Sequence, residues 1–336
     1  MFGISVVIPA HNSEKYLGKC IDSVTRNTFQ DSEIVVIENG SSDRTLHVAK
    51  ECLSKMLPAE RYKIISIPEG NVSKARNEGI KASNGKYLFF LDSDDYISPE
   101  TLGSLYKAAE ENRADITYCP FDRILQSDTE CRKLSYEKLY KSHKAIISGV
   151  EFLKDFLKGR KWLCTGNNII RRDLINNGKI WFPEEFHGGE DQYFYMEILL
   201  HAKKVVFSPS GRMFYVQRTS GSLAASDKVL DSLKAYELFT QEVENDKYFL
   251  DRRSKDEILN LIRRFKLPYL YVRAFYRLSK IMTYDEMATV MRAKRGTFKK
   301  MPLPLPVSSK LWFPTFVGYV MLRYFPKLFY IMSNRL

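Results

Sequence analysis

The sequence predicts an α/β fold: a mainly parallel sheet flanked by helices, followed by a helical, basic C-terminal region. Over the first 120 residues, short β-branched runs alternate with segments of helical periodicity, at a spacing that suits strand–helix–strand units. Polar clusters follow these runs or open the next helix, as in an open sheet that binds ligand beyond the carboxyl ends of its strands. Charge sets the remainder apart: residues 247–336 hold 19 Lys/Arg against 5 Asp/Glu, whereas residues 1–246 hold 33 against 35. The formal net charge of +12 therefore belongs to the last quarter of the chain.

The candidate strands are Ile4–Ile8, Glu33–Ile37, Lys63–Ile67 and Lys86–Leu91. Between them, Glu14–Arg26, Asp43–Leu57 and Val72–Ala82 place apolar residues at helical spacing, as with Leu17, Ile21 and Val24. Ser13 and Ser42 stand where N-caps are expected, and Asn39 or Gly40 where the chain must turn sharply out of the second strand. A helix over Pro99–Asn112 and a strand over Asp115–Pro120 follow. Residues 121–145 are polar without strong periodicity and read as a long irregular excursion. Gly149–Lys158 reads as helix and Cys164–Arg171 as strand, Gly188 and Gly189 open a helix at Glu190, and Val205–Ser208 and Arg212–Gln217 read as closing strands. From Lys228 to Arg295 the pattern is mainly helical, until Pro302, Pro304 and Pro306 interrupt it.

With 336 residues, 44% hydrophobic and 27% charged, the chain has ample core-forming material, which excludes disorder and small disulfide scaffolds. Cys20, Cys52, Cys119, Cys131 and Cys164 form an odd set without C-x-x-C spacing, which points to a reducing compartment. Ile4–Ile8 is stopped at once by Pro9, so a signal peptide is not expected. The longest apolar candidate, Leu311–Leu322, contains Pro314 and Gly318 and falls short of the about 18 residues of a spanning helix.

Four clusters converge on one edge if the sheet is parallel: Pro9-Ala10-His11-Asn12, Glu38-Asn39-Gly40-Ser41, Ser73-Lys74-Ala75-Arg76-Asn77 and Asp92-Ser93-Asp94-Asp95. The fourth is the most telling, because three carboxylates in four residues repel one another unless a cation sits between them. Hard divalent ions take carboxylate oxygens and share substrate phosphates, so the expected ligand is a metal-bound diphosphate. Singly, these are ordinary turn and surface residues; position after successive strands is what raises them together.

At these residues the sequence resembles the family-two inverting glycosyltransferases with the GT-A fold. The resemblance spans about residues 3–220 and rests on Ser5-Val-Val-Ile-Pro-Ala-His-Asn12, Glu33-Ile-Val-Val-Ile-Glu-Asn-Gly-Ser-Ser-Asp43, Ala75-Arg-Asn-Glu-Gly79 and Phe90-Leu-Asp-Ser-Asp-Asp95. It implies transfer of one sugar from a nucleotide-diphosphate donor, usually a uridine one, with inversion at the anomeric carbon and Mn2+ or Mg2+ as cofactor. It further implies that Pro9, Ala10 and Asn12 line the nucleoside pocket, that Glu38 faces the uracil or ribose and that Arg76 faces the base or phosphates. Asp92, Ser93 and Asp94 match the family's Asp-x-Asp, with Asp94 the direct metal ligand and Asp92 nearer the ribose.

Gly189-Glu190-Asp191 resembles the family's Glu-Asp motif, whose Asp is the general base. Such a carboxylate is required because an acceptor hydroxyl is a poor nucleophile near neutral pH. Tyr215-Val-Gln-Arg218-Thr-Ser220-Gly-Ser222 resembles the segment that holds the diphosphate, with Arg218 as its phosphate ligand. Glu38-Asn39 departs from the family's usual aspartate pair, which leaves the preferred nucleotide open. The Gln-x-x-Arg-Trp signature of processive synthases is absent, which favours one sugar per encounter.

The expected organisation is a GT-A catalytic domain over residues 1–225 and a helical region over residues 226–336. Within the first, residues 1–120 bind the donor and residues 121–225 supply the acceptor side and the base. In the tail, Lys310, Arg323, Lys327 and Arg335 punctuate a Trp-, Tyr-, Phe- and Leu-rich stretch that suits an in-plane interfacial segment. The expected partners are a nucleotide-sugar donor, a glycan or lipid-linked acceptor and an anionic membrane surface, with no nucleic acid. The expected setting is the cytoplasmic face of a bacterial cell membrane, in surface-polysaccharide assembly. A nucleotidyltransferase, and an inactive nucleotide-sugar-binding module tethered to membrane, are the alternatives.

Overall fold

The runs over Ile4–Ala10, Ser32–Asn39 and Tyr87–Phe90 become strands enclosed on both faces, whereas Tyr62–Ile67, at the sheet edge, is half-buried. The computed structural model describes residues 1–68, 70–127, 131–140, 143, 145–186, 188–218, 230–248, 250–293, 302–304 and 312–335. The chain divides into two compact units: Met1–Phe152 with Leu163–Glu185 and Glu190–Ser222, and Leu153–Trp162 with Phe186–Gly189 and Leu223–Leu336.

The strands of the first unit are β1 (Ile4–Ala10), β2 (Ser32–Asn39), β3 (Tyr62–Ile67), β4 (Tyr87–Phe90), β5 (Tyr96–Ile97) and β6 (Ile116–Tyr118). They continue with β7 (Phe121–Gln126), β8 (Cys131–Ser135), β9 (Ile146–Ile147), β10 (Asn168–Arg171), β11 (Val205–Phe207) and β12 (Met213–Arg218). Eight form one sheet in the order β3-β2-β1-β4-β10-β6-β11-β9. The first four are mutually parallel, so their carboxyl ends share one edge, whereas β10 runs antiparallel to β4 and β6. Ile4, Val6 and Ile8 of β1 are buried with Leu17, Ile21 and Val24 of α1 (Leu17–Thr25) and Ala49 and Leu53 of α2 (Thr45–Met56). On the other face Val35, Ile37 and Ala75 cluster beneath α3 (Val72–Ala82). A Cβ on Gly79 would lie 2.2 Å from Val7 Cγ1, so glycine is what lets α3 settle this close to β1.

Four readings of the sequence need correction. Residues 121–145 are not an irregular excursion: β7 and β8 form an antiparallel pair within a second sheet of order β5-β12-β7-β8. Its period was hidden by Asp122, fully buried yet bonded to Arg212, Lys133 and the Tyr136 amide. The segment over Arg212–Gln217 does not close the main sheet but pairs with β7 and β5 in the second. Strand β10 begins at Asn168 rather than Cys164, the preceding residues turning through Gly166 at φ +90°. Neither Ser13 nor Ser42 caps a helix: α1 and α2 begin after Tyr16 and Arg44 without side-chain caps, and Asp43 Oδ1 accepts from the Thr45 amide at 2.9 Å. A cap the sequence reading overlooked is Asn71, whose side chain accepts from the Lys74 amide.

Further along lie α4 (Thr101–Asn112), α5 (Glu137–Tyr140), α6 (Gly149–Leu157), α7 (Arg172–Gly178) and α8 (Glu190–His201). The second unit adds α9 (Asp231–Glu244), α10 (Arg252–Leu261), α11 (Leu267–Leu278) and α12 (Tyr284–Ala293), then two helices over Trp312–Tyr324 and Pro326–Arg335. Pro268 has no amide to donate and its ring crowds the carbonyl four residues earlier. A π-helical turn over Ile262–Lys266 leads into it, so the helix continues from α10 into α11. Among the described residues no helix is long and apolar enough to cross a membrane.

Candidate active site

The loops at the carboxyl edge of β1, β2 and β4 are laced together by small polar groups. Asn12, in the left-handed region at φ 47°, accepts from the Ser42 amide at 2.9 Å, and its own amide donates to Ser41 Oγ. His11 Nδ1 lies 2.7 Å from the Asn39 carbonyl and Nε2 lies 3.2 Å from Asn12 Nδ2, a pair satisfied together when Nδ1 carries the proton. Ser93 Oγ meets Ser13 Oγ at 2.7 Å, and Ser13 Oγ donates to the His11 carbonyl. Gly40, at φ +66°, supplies the sharp turn after β2, where a Cβ would press on the Pro68 carbonyl. Pro9 and Ala10 are enclosed within β1, and Glu38 is buried with Oε1 accepting from the Ser41 amide at 2.6 Å.

At the end of β4 the carboxylates meet two arginines. Arg76, buried on α3, donates through Nη2 to Asp92 Oδ1 at 2.9 Å and through Nη1 to Glu190 Oε1 at 3.0 Å. Burial works against its charge, but Asp92 and Glu190 more than compensate and raise its pKa. Asp92 Oδ2 accepts from Thr165 Oγ1 at 2.8 Å, so both of its oxygens are held. Asp94 accepts from Arg218 Nη1 at 2.7 Å, and the Arg218 guanidinium lies 3.6 Å from the centre of the Tyr16 ring. Buried Asp95 accepts from the Val216 amide at 2.8 Å, which fastens β12, and with it Arg218, to the carboxylate loop.

Asp191 follows Glu190 in the first turn of α8. The approach to that helix is fixed from α3: Asn77 exchanges hydrogen bonds with both backbone groups of Phe182 at 2.9 Å, and Asn71 Nδ2 donates to the Glu184 carbonyl. Phe182 stacks on Phe194 of α8 at 3.8 Å, and Phe90 of β4 meets both rings edge-on. Burial first, then Glu190, raises the Asp191 pKa to about 7 against the opposing pull of Arg76. Asp94 is raised by burial and Asp92, and Asp95 well above its ordinary value by burial, Asp94 and Asp92. The cluster thus holds more negative charge than its two arginines neutralise.

Arg76 joins Asp92 to the start of α8 and Arg218 separately meets Asp94, whereas Pro9 and Ala10 present no side chain to solvent. Ser220 and Ser222 lie outside the described residues. Thr165, and the contacts made by Asp95, Tyr16 and Glu190, escaped the sequence reading. Only Asp95 and Glu190 carried a signal, as neighbours of motif carboxylates. Among the described residues no three His, Cys, Asp or Glu side chains form a ready metal cage. Asp92 and Asp94 nevertheless fit a divalent cation in kind, being hard carboxylates in a cluster that is short of positive charge.

A mainly parallel sheet flanked by helices, with carboxylates at its carboxyl edge, is the GT-A architecture. The family model "Glycosyl transferase family 2" matches residues 5–177, and the chain belongs to that family. The nucleotidyltransferase alternative is thereby set aside. The chain is 25% identical over 302 residues to the uncharacterized glycosyltransferase EpsJ of Bacillus subtilis, covering 86% of each. To the poly(ribitol-phosphate) beta-N-acetylglucosaminyltransferase TarS of Staphylococcus aureus it is 26% identical over 264 residues, 77% of this chain and 43% of that one. The structure of TarS 1-349 with UDP-GlcNAc matches at a TM-score of 0.67 and 19% identity, covering 98% of this chain and 92% of that one. The mannosyltransferase PcManGT from Pyrobaculum calidifontis, in complex with GDP-Man and Mn2+, matches at 0.53 and 11%, covering 97% and 88%. At these identities the solved structures speak for the fold.

Proposed function

We propose that this glycosyltransferase moves one sugar, with inversion, from a UDP-sugar to a glycan or lipid-linked acceptor in surface-polysaccharide assembly, using Mn2+ or Mg2+. The observation that carries the reading is Arg76, whose one guanidinium bonds both Asp92 of the Asp-x-Asp loop and Glu190, the residue before the general base. A donor diphosphate at Asp92 and Asp94 would therefore lie near a carboxylate able to act on the acceptor. Supporting the donor and metal are TarS, solved with UDP-GlcNAc, and PcManGT, solved with GDP-Man and Mn2+. TarS is named for a poly(ribitol-phosphate) acceptor, which supports a polymeric, hydroxyl-bearing acceptor here.

Asp191 takes the proton of the acceptor hydroxyl as that oxygen forms its bond to the anomeric carbon and the bond to the diphosphate oxygen breaks. Its raised pKa, about 7, matches such a task near neutrality. Asp92 and Asp94 would hold the divalent ion, which when bound supplies Lewis-acid stabilisation of the departing diphosphate. Arg76 and Arg218 orient these carboxylates, and each keeps a buried Nε–H without a hydrogen-bond partner among the described residues. The binding roles of Pro9, Ala10, Asn12, Glu38 and Ser93 toward the nucleoside belong to the same reading, with Pro9 and Ala10 acting through backbone.

Membrane association is the second part of the proposal. The helices Trp312–Tyr324 and Pro326–Arg335 expose Phe313, Tyr324, Phe325, Leu328, Ile331 and Met332, and residues 287–336 hold nine Lys/Arg and no acid. A panel of UDP- and GDP-sugars with Mn2+ or Mg2+ and a lipid extract tests the catalytic part. Release of nucleoside diphosphate with a UDP-sugar is expected, and absence of release with every donor would overturn it.

A further inference from the structure

Among the described residues, the second unit holds a row of cations that no carboxylate meets. Lys266, Arg273 and Arg277 recur at seven and four residues along the π turn and α11, which puts them on one helix face. No carboxylate among the described residues pairs with any of the three. Burial and the nearby Arg273 lower Lys266 to about 8 and also lower Arg277, the response of cations held against mutual repulsion. Lys266 has three aromatic rings around it, Phe156, Tyr236 and Tyr269, whereas Arg273 is exposed.

Beside this row lies an apolar slot of about 180 Å³, walled by Tyr269, Val272, Tyr276, Pro314 and Phe329, with Arg273 the charged residue of its lining. Gly318 permits the slot's geometry, since a Cβ there would lie 2.7 Å from Val272 Cγ1 and push the Trp312–Tyr324 helix away from α11. The volume is below the about 300–1,000 Å³ of sites that enclose a whole small ligand, so the slot suits part of a chain. The same helices present Phe313, 64% exposed, and Phe325, 58% exposed, to solvent.

We propose that this slot and the Arg273–Arg277 pair bind one anionic phospholipid of a bilayer, its phosphate on the two guanidinium groups and the end of an acyl chain against Tyr276 and Phe329. The proposal rests on the membrane reading above and goes beyond it in assigning the lipid's charge and its contacts. Charge complementarity selects the occupant: a zwitterionic lipid brings its own ammonium beside the two guanidinium groups, and a wholly polar anion leaves the apolar wall wet. Guanidinium groups also suit phosphate geometrically, offering paired donors.

Two titrations of the full chain test it: dihexanoyl phosphatidylglycerol below its micelle concentration reads the slot, and phosphatidylglycerol vesicles read the surface. Wild type is expected to bind both, and to bind dihexanoyl phosphatidylcholine at least about tenfold more weakly than the glycerol lipid. Arg273→Gln/Arg277→Gln should lose about tenfold or more for the short-chain anionic lipid, with the thermal melt and donor turnover unchanged. Phe325→Ser/Leu328→Ser should weaken vesicle binding and leave the short-chain lipid bound. Equal affinity of wild type and the double arginine variant, or equal affinity for the choline lipid, overturns the site. Vesicle binding without short-chain binding overturns the site and leaves the membrane reading standing; short-chain binding without vesicle binding does the reverse, and no binding of either overturns both.

Discussion

The two units of this chain carry opposite charge imbalances. In the first, Asp92, Asp94, Asp95, Glu190 and Asp191 outnumber the two arginines bonded to them, Arg76 and Arg218. In the second, Lys266, Arg273 and Arg277 line one helix face without a carboxylate partner among the described residues. An anionic cluster cannot receive a diphosphate directly, since like charges repel, and calls for a bridging cation. A cationic row receives phosphate with no intermediary. The difference teaches that net charge says little until it is divided between the places where it acts.

The sharpest way to break this contrast is at the base. Asp191→Asn should lower kcat by about 10²–10⁴-fold while donor affinity stays within about twofold, because only proton transfer is removed; substantial retained turnover in steady-state assays would defeat the assignment. Next in size is Arg76→Ala, which leaves Asp92 and Glu190 without their shared counter-charge. Breaking a buried pair costs about 3–5 kcal/mol, and the low end is expected because the Asp92 side chain stays 31% exposed. Urea denaturation reads this value, and an unchanged midpoint would show that the arginine is dispensable to the fold.

A smaller effect separates packing from chemistry. Gly79→Ala forces a Cβ to within 2.2 Å of Val7 Cγ1, and overpacking of this kind costs about 1–3 kcal/mol. A fall in melting temperature with unchanged kcat per folded molecule is the expected result. The smallest change is with pH. As the proposed base Asp191 would act with its proton off, and its pKa is raised to about 7, so kcat should fall as pH drops through 7, approaching about tenfold per unit below it. Asp191→Asn should flatten that limb; a limb that persists in the variant assigns it to another group.

Much of the main sheet was legible because its strands are short β-branched or aromatic runs, those of β1, β2 and β4 buried on both faces. Ile4–Ile8, Glu33–Ile37 and Lys63–Ile67 all fall within observed strands, and the clusters beyond β1, β2 and β4 share the edge that a parallel sheet requires. The β7–β8 pair was illegible for the opposite reason. Much of β8 is exposed, and β7 buries a charged residue at Asp122, so neither shows the alternation that marks a strand. Pairing with β12, some 90 residues later in sequence, decides their conformation. Thr165 carried no signal at all: it holds Asp92 from 73 positions away.

The sequence by itself determined the main strands and helices of the first 120 residues, the order of the motif carboxylates and the confinement of excess positive charge to the C-terminal quarter. These are local properties, written in hydrophobic period and residue type. Tertiary structure alone decided which charges meet: that Arg76 serves two carboxylates 98 residues apart in sequence, that Asp95 fastens β12, and that Arg273 and Arg277 meet none among the described residues. Electrostatic partnership depends on separation in space, and chain order leaves that free until the sheet and its helices have packed.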